Sequence, residues 1–315
     1  MTTRGETTVA EAYVDLRPLL FSIAYRMVGS VSEAEDLVQE AFVRYQRALS
    51  DETAVESPKA YLSAVVTRLA IDHLKSARVR REAYVGEWLP EPLVTDEGAG
   101  DPAGHAELAD SLSMSFLVLL ERLTPVERAI FLLHDVFDYG FDEIGGIVHK
   151  SPATCRQHAV RARRFIGENR PRFDADEAER EALMTRFLAA AERGDVNGLI
   201  EVLAEDAIVY GDGGGKVPQW YVPILGADNV ARLFASLGRQ LTRFGATFEL
   251  HAVNGQPGVI FRGPRGGVMS VMSFEVVDRR IATIRSVVNP DKLQHLGPVE
   301  NLREVMEGAT HRERE

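Results

Sequence analysis

The sequence predicts two all-α domains followed by an α+β module. Apolar residues recur at helical spacing from about Tyr13 to Glu82, and again from Ser111 to about Asn169. Between Arg81 and Arg122 there is no Lys or Arg. That gap carries Glu87, Glu91, Asp96, Glu97, Asp101, Glu107 and Asp110 with several Pro and Gly, the composition of an acidic linker. After Ala178 the texture changes. A helix (ALMTRFLAAAERGD) leads into a short helix and strand (NGLIEVLAEDAIVYGD), and beyond Thr247 come FELHAVN, GVIFRG, GVMSVMSFEVV and IATIRSVVN, separated by turn residues. Helices and then strands in series are the signature of an α+β unit.

Taking the elements in order, Pro18 and Pro58 suit helix starts in the first domain. From Asp36 to Arg47, Leu37, Val38, Ala41, Phe42 and Tyr45 form one apolar face, while Asp36, Gln39, Glu40, Val43 and Arg47 share the other. In the second domain Ser151-Pro152 is a helix-start signal: the hydroxyl accepts an orphan amide bond and proline fits the first turn. The helix it opens puts Cys155, Ala159, Ala162 and Ile166 on a stripe that must pack inward. Ala153, Thr154, Gln157, Arg161 and Arg164 lie opposite, flanked by Arg156 and Arg163. With FDEIGGIV before it, this is the order of a helix-turn-helix. Cys155 reads as a buried small apolar residue of low reactivity.

The 315 residues leave room for two or three cores, and the formal charge is -11. One cysteine excludes an internal disulfide framework. No apolar run is long enough for a bilayer, and the start lacks a signal-peptide core, so a cytoplasmic protein without a membrane partner is expected. Neither cofactor nor metal ligands are expected. Although the chain is acidic, its basic residues crowd into Arg68–Arg81 and Arg156–Arg172. Local basic density decides nucleic-acid binding, so two such helices suggest two contacts on one DNA.

DLVQEAFVRY, followed by PKAYLSAVVTRLAIDHLKSARVRR, resembles region two of the extracytoplasmic-function sigma factors of the sigma-70 type. The resemblance implies that Asp36, Gln39, Glu40, Val43 and Arg47 face core RNA polymerase. It implies that Arg68, Asp72, His73, Lys75, Arg78, Arg80 and Arg81 lie on or near the minus-ten element of promoter DNA. Many members of the family have Asn where this chain has Arg68, so base recognition is not carried over there. The helix-turn-helix resembles sigma region four, which reads the minus-thirty-five element. Ala153, Thr154, Arg156, Gln157, Arg161, Arg163 and Arg164 are its DNA-binding candidates, those near the helix start reaching bases and the later arginines phosphates.

YVGEWLPEP in the linker, DGGGKV at Asp212–Val217 and NPDKL at Asn289–Leu293 resemble phrases of sigma factors with a fused SnoaL-like (NTF2-like) domain of cone-shaped α+β fold. The residues expected to make regulatory contacts are Trp88, Leu89, Pro90, Asp212, Gly213, Gly214, Gly215, Lys216, Asn289, Pro290, Asp291 and Lys292. Gly213 to Gly215 allow positive φ but lack the helix-opening context of a phosphate-binding loop. Asp212, Glu249 and His251 are the residues open to a catalytic role, and no pair has diagnostic spacing, so no enzyme is expected. The expected domains are region two at 11–85, an acidic linker at 86–110, region four at 111–172, the SnoaL-like module at 178–296 and a tail at 297–315. The function expected is promoter-specific initiation with core RNA polymerase, adjusted by the fused domain, which is also where a small-molecule or protein signal would act. Two other classes stay open: a ligand-sensing helix-turn-helix regulator that acts without polymerase, and an enzyme of the ketosteroid-isomerase-like fold.

Overall fold

The computed structural model describes residues 9–51, 55–82, 84–95, 111–169, 177–217, 219–301 and 304–305. The chain divides into two compact units. One contains 1–82, 98–112 and 116–170, which hold most of both helical regions, and the other contains 83–97, 113–115 and 171–315.

In the helical unit, α1 (Val9–Val28), α2 (Val31–Ser50) and α3 (Pro58–Glu82) pack on one another. Ser30 caps α2, its hydroxyl accepting from the Glu33 amide at 3.2 Å. The apolar face read for α2 is buried throughout: Leu37, Val38, Ala41, Phe42 and Tyr45 are at most 9% exposed. Pro58 opens α3 as expected, but Pro18 lies inside α1 rather than at its start. Ala12 and Leu20, buried on either side of it, hold the helix together across the missing ladder bond.

The second helical region runs through α4 (Met114–Leu120), α5 (Pro125–Phe131) with a π-turn at Leu132–Val136, α6 (Phe141–Val148) and α7 (Pro152–Asn169). Thr124 and Glu127 form a capping box at α5, with Pro125 in the first turn. After α6 the chain turns sharply through His149 at φ 54°. A Cβ on Gly145 would meet the Lys150 carbonyl at 2.7 Å, so this turn requires glycine there. Ser151 then caps α7 through the Thr154 amide.

The second unit is α+β. Helices α8 (Glu177–Arg193), α9 (Val196–Val202) and α10 (Ala227–Arg243) pack with a mixed six-stranded sheet. The strands are β1 (Leu203–Asp212), β2 (Ile224–Leu225), β3 (Thr247–Val253), β4 (Gln256–Arg262), β5 (Val268–Val277) and β6 (Arg280–Val287), in the order β2-β1-β6-β5-β4-β3. Among the described strands, β1 and β6 pair in parallel and the other neighbours pair antiparallel. Asn254 and Gly255, both at positive φ, close the β3–β4 hairpin as a two-residue turn. Phe187, Phe234 and Phe274 meet edge-on in the core. The sequence patterns predict neither α10 nor β2. Residues 297–315 are expected outside the module, yet Val299 bridges Val268, and Glu300 accepts from the Arg265 and Gly267 amides.

Candidate functional site

On α2 the candidate docking side chains Asp36, Gln39, Val43 and Arg47 are exposed, and Glu40 is half-buried against Arg44 at 2.7 Å. On α3, Asp72 and Lys75 are exposed and bonded to each other at 2.8 Å, while His73 sits 3.2 Å from Glu33. Arg68 is half-buried and donates to the Gly146 and Ile147 carbonyls at the end of α6. The side chains of Arg78, Arg80 and Arg81 lie outside the described residues.

The inward stripe of α7 is closed: Cys155 and Ala159 are 0% exposed, Ala162 is 1% and Ile166 is 5%. Burial pushes the Cys155 thiol up, which disfavours the reactive thiolate. Ala153, Arg156, Gln157, Arg161, Arg163 and Arg164 are exposed, and Thr154 is half-buried with its hydroxyl 2.8 Å from that of Ser151. Two of the arginines have partners. Arg163 is paired with Asp135, and Arg156 stands 5.4 Å from the centre of the Phe141 ring.

The linker segment 84–95 is held by the α+β module. Burying an irregular segment requires a partner for each backbone polar group. Pro90 and Pro92 remove two donors from that requirement. Leu89, 2% exposed, donates its amide to Asp212 Oδ2 at 2.9 Å, and its carbonyl accepts from Lys292 Nζ at 2.5 Å. Lys292 also donates to Asp212 Oδ2 at 2.7 Å, with the Trp88 and Tyr84 rings 4.3 and 5.0 Å from its ammonium. Asp212 Oδ1 accepts from the Tyr84 hydroxyl at 2.5 Å and the Gly214 amide at 3.1 Å, so four donors converge on one fully buried carboxylate. Burial, followed by this carboxylate, drives the Tyr84 hydroxyl well above the ordinary tyrosine range.

Each loop phrase has a local reason. Asn289 accepts from the Asp291 amide and donates to Tyr84 Oη, and Pro290 opens the 3₁₀ turn Pro290–Lys292 that positions Lys292. Gly214 has φ 59°, and a Cβ there would lie 2.3 Å from Asn289 Nδ2. Lys216 and Asp291, each half-exposed, pair at 2.5 Å outside the cluster. Farther along, His295 bonds the Pro92 carbonyl at 2.7 Å and the Leu93 amide donates to Asn254 Oδ1. Val94 bridges Val253 as a short extra strand pairing with β3. Tyr84, Asn254 and His295 were missed as site residues. The phrase YVGEWLPEP contains Tyr84, but its hydroxyl partner is 128 residues away in the chain.

Asp212 ends β1, whereas Glu249 and His251 lie on β3, four strands away. At roughly 4.8 Å per strand they share no site. Glu249 is instead exposed and accepts from Arg262 at 2.9 Å, which keeps its carboxyl below the usual range. The apolar cavity between helices and sheet, lined by Phe187, Phe234, Phe248, Phe261 and Met272, measures about 40 Å³, room for little more than a water. Among the described residues there is no cluster of metal-ligating side chains, and no helix is long and apolar enough to cross a membrane.

A three-helix region with an exposed polar face on α2 thus precedes a capped helix-turn-helix. Residues 12–80 match the model of sigma-70 region 2, and residues 113–166 match that of sigma-70 region 4. The ECF RNA polymerase sigma factor SigJ of Mycobacterium tuberculosis is 37% identical over 289 residues, covering 88% of this chain and 90% of that one. The probable ECF RNA polymerase sigma factor SigI of the same species is 32% identical, covering 91% and 96%. The crystal structure of the SigJ protein superposes with a TM-score of 0.72 at 34% identity, covering 93% of this chain and all of that one. The chain belongs to the extracytoplasmic-function sigma factors, which direct transcription initiation and are not enzymes.

Proposed function

We propose that this sigma factor docks on core RNA polymerase through the exposed face of α2, reads promoter DNA through α3 and α7, and is adjusted by its own C-terminal module. The observation that carries the regulatory part is the clasp on Leu89, whose amide and carbonyl are both held by side chains of the module. A segment so held is withdrawn from other partners. The linker is acidic, and an acidic segment suits the positively charged nucleic-acid channel of a polymerase, so its release would favour the polymerase complex. Fusion keeps module and linker at an effective concentration near the millimolar range, which lets a modest contact act as a switch.

The helix-turn-helix supports two kinds of DNA contact. In this reading Thr154 and Gln157, near the start of α7, reach base edges, and Arg161 and Arg164 reach phosphates. The test is transcription in vitro with purified core polymerase, comparing the full chain with Trp88→Ala and Lys292→Met. Both variants are expected to change output while retaining core binding. Output equal to that of the unaltered protein would remove the regulatory claim.

A further inference from the structure

Arginines of the two helical regions cap each other's helix ends. The last four carbonyls of an α-helix have no partner within the helix, and its C-terminus attracts positive charge. Arg68, on α3, donates Nη2 to Gly146 O at 2.7 Å and Nε to Ile147 O at 2.9 Å, both in the last turn of α6. In the other direction Arg128, on α5, donates to Met27 O in the last turn of α1 at 2.5 Å. Arg128 is 3% exposed, further held by Leu120 O and Glu121, and burial lowers its guanidinium to about 9, leaving it charged at neutral pH. Between these clasps the Tyr139 hydroxyl donates to Ser63 Oγ at 2.7 Å.

The DNA geometry makes this closed arrangement consequential. Elements centred near minus ten and minus thirty-five are about 85 Å apart at roughly 3.4 Å per base pair. A compact unit of about 130 residues has a radius of gyration of roughly 14 Å and is under about 40 Å across. One closed unit cannot read both elements at once. Arg68 also lies on the helix proposed to face the minus-ten element, and in the closed unit its Nε and Nη2 donors are committed to α6.

We infer that Arg68 is a two-partner residue: it latches α3 to the first helix of the helix-turn-helix in the free chain, and is handed to promoter phosphate when the two regions separate. This rests on the initiation-factor reading above. It also gives a local role to an arginine at the position where many members of the family have asparagine. Lysine keeps the charge but lacks the rigid fork that bonds two carbonyls at once. Arg68→Lys therefore separates the latch from the DNA contact, and Arg68→Ala removes both.

The test is a spin-label distance measurement on the full chain without polymerase or DNA, with labels at Gln46→Cys and Val160→Cys in a Cys155→Ala background. Both Arg68 variants are expected to raise the population of long separations about tenfold or more, as loss of a charge-assisted bond implies. On core polymerase, Tyr139→Phe is expected to retain promoter output and Arg68→Ala to lose it. Should an Arg68 variant fail to fold, Tyr139→Phe, which removes only the bond to Ser63, is expected to open the unit by the same measure. Distance distributions superimposable on the unaltered protein's in folded Arg68 variants would overturn the latch, and so would an unchanged one for Tyr139→Phe. Failure of every protein, the unaltered one included, to bind core polymerase would instead overturn the initiation-factor reading, while the distances still decide the latch.

Discussion

Lys292 and Asp212 form a pair that is 9% and 0% exposed, and the linker lies against both. Removing one partner of a buried pair leaves the other uncompensated, typically at a cost of about 3–5 kcal/mol. Asp212 keeps three other donors, so Lys292→Met is expected near the lower figure, enough to weaken linker docking by roughly a hundredfold. Red-shifted, quenchable Trp88 emission in a Trp220→Phe background is the readout. Unaltered Trp88 emission in that variant would contradict the assignment. Tyr84 supplies a pH dependence with a definite sign. Its folded-state value is raised from 10.0 by burial and by Asp212, so its contribution is fully present below about pH 10 and falls as pH rises beyond that. Emission from Trp88 is therefore expected to hold steady from about pH 7 to pH 9 and to shift only above about pH 10; a transition centred below pH 8 would count against Tyr84 as a determinant.

At the scale of single elements, α7 makes the sharpest prediction. Gln157→Ala is expected to change preference at particular upstream-element positions, with about 1–3 kcal/mol at stake for a bidentate base contact. Arg164→Ala is expected to weaken binding evenly across sequences and to flatten the salt dependence. Identical sequence preferences for unaltered and Gln157→Ala protein would exclude Gln157 from base reading. Much of this element was legible in the sequence, because Ser151-Pro152 and the Cys155, Ala159, Ala162, Ile166 stripe are local signals, and the structure buries that stripe. The same holds for α2. Helix α10 was not assigned, although Val230, Ala231, Phe234 and Ala235 repeat at helical spacing and are buried. Its neighbours are the glycine- and proline-bearing loop and the two-residue β2, which gave no strand pattern to frame it. Pro18 misled because a proline marks a helix start only where packing does not hold the turn on both sides.

For the whole molecule, the phrases WLPEP, DGGGKV and NPDKL were legible as related parts, but their joining was not. A contact such as Lys292 with Leu89 spans 203 residues and leaves no periodicity to read. The linker was read as one acidic segment from 86 to 110. Its beginning is instead a buried strap whose prolines, Leu89 and Val94 are matched by the module, while 96–110 lie outside the described residues. Removing the chain after Leu293 would also delete Glu300, which closes the β4–β5 turn, so Lys292→Met tests the strap more cleanly than truncation. Charge reversal at Asp36 and Glu40 is expected to weaken core-polymerase binding by tenfold or more without altering the helical content, and unchanged core affinity would remove α2 as the docking face. The most direct test of a strap-regulated initiation factor is run-off transcription from one promoter with purified core polymerase, titrating unaltered and Lys292→Met protein to saturation. A shift of at least several-fold in output per bound factor, at preserved core affinity, is the expected result; superimposable titrations would contradict it.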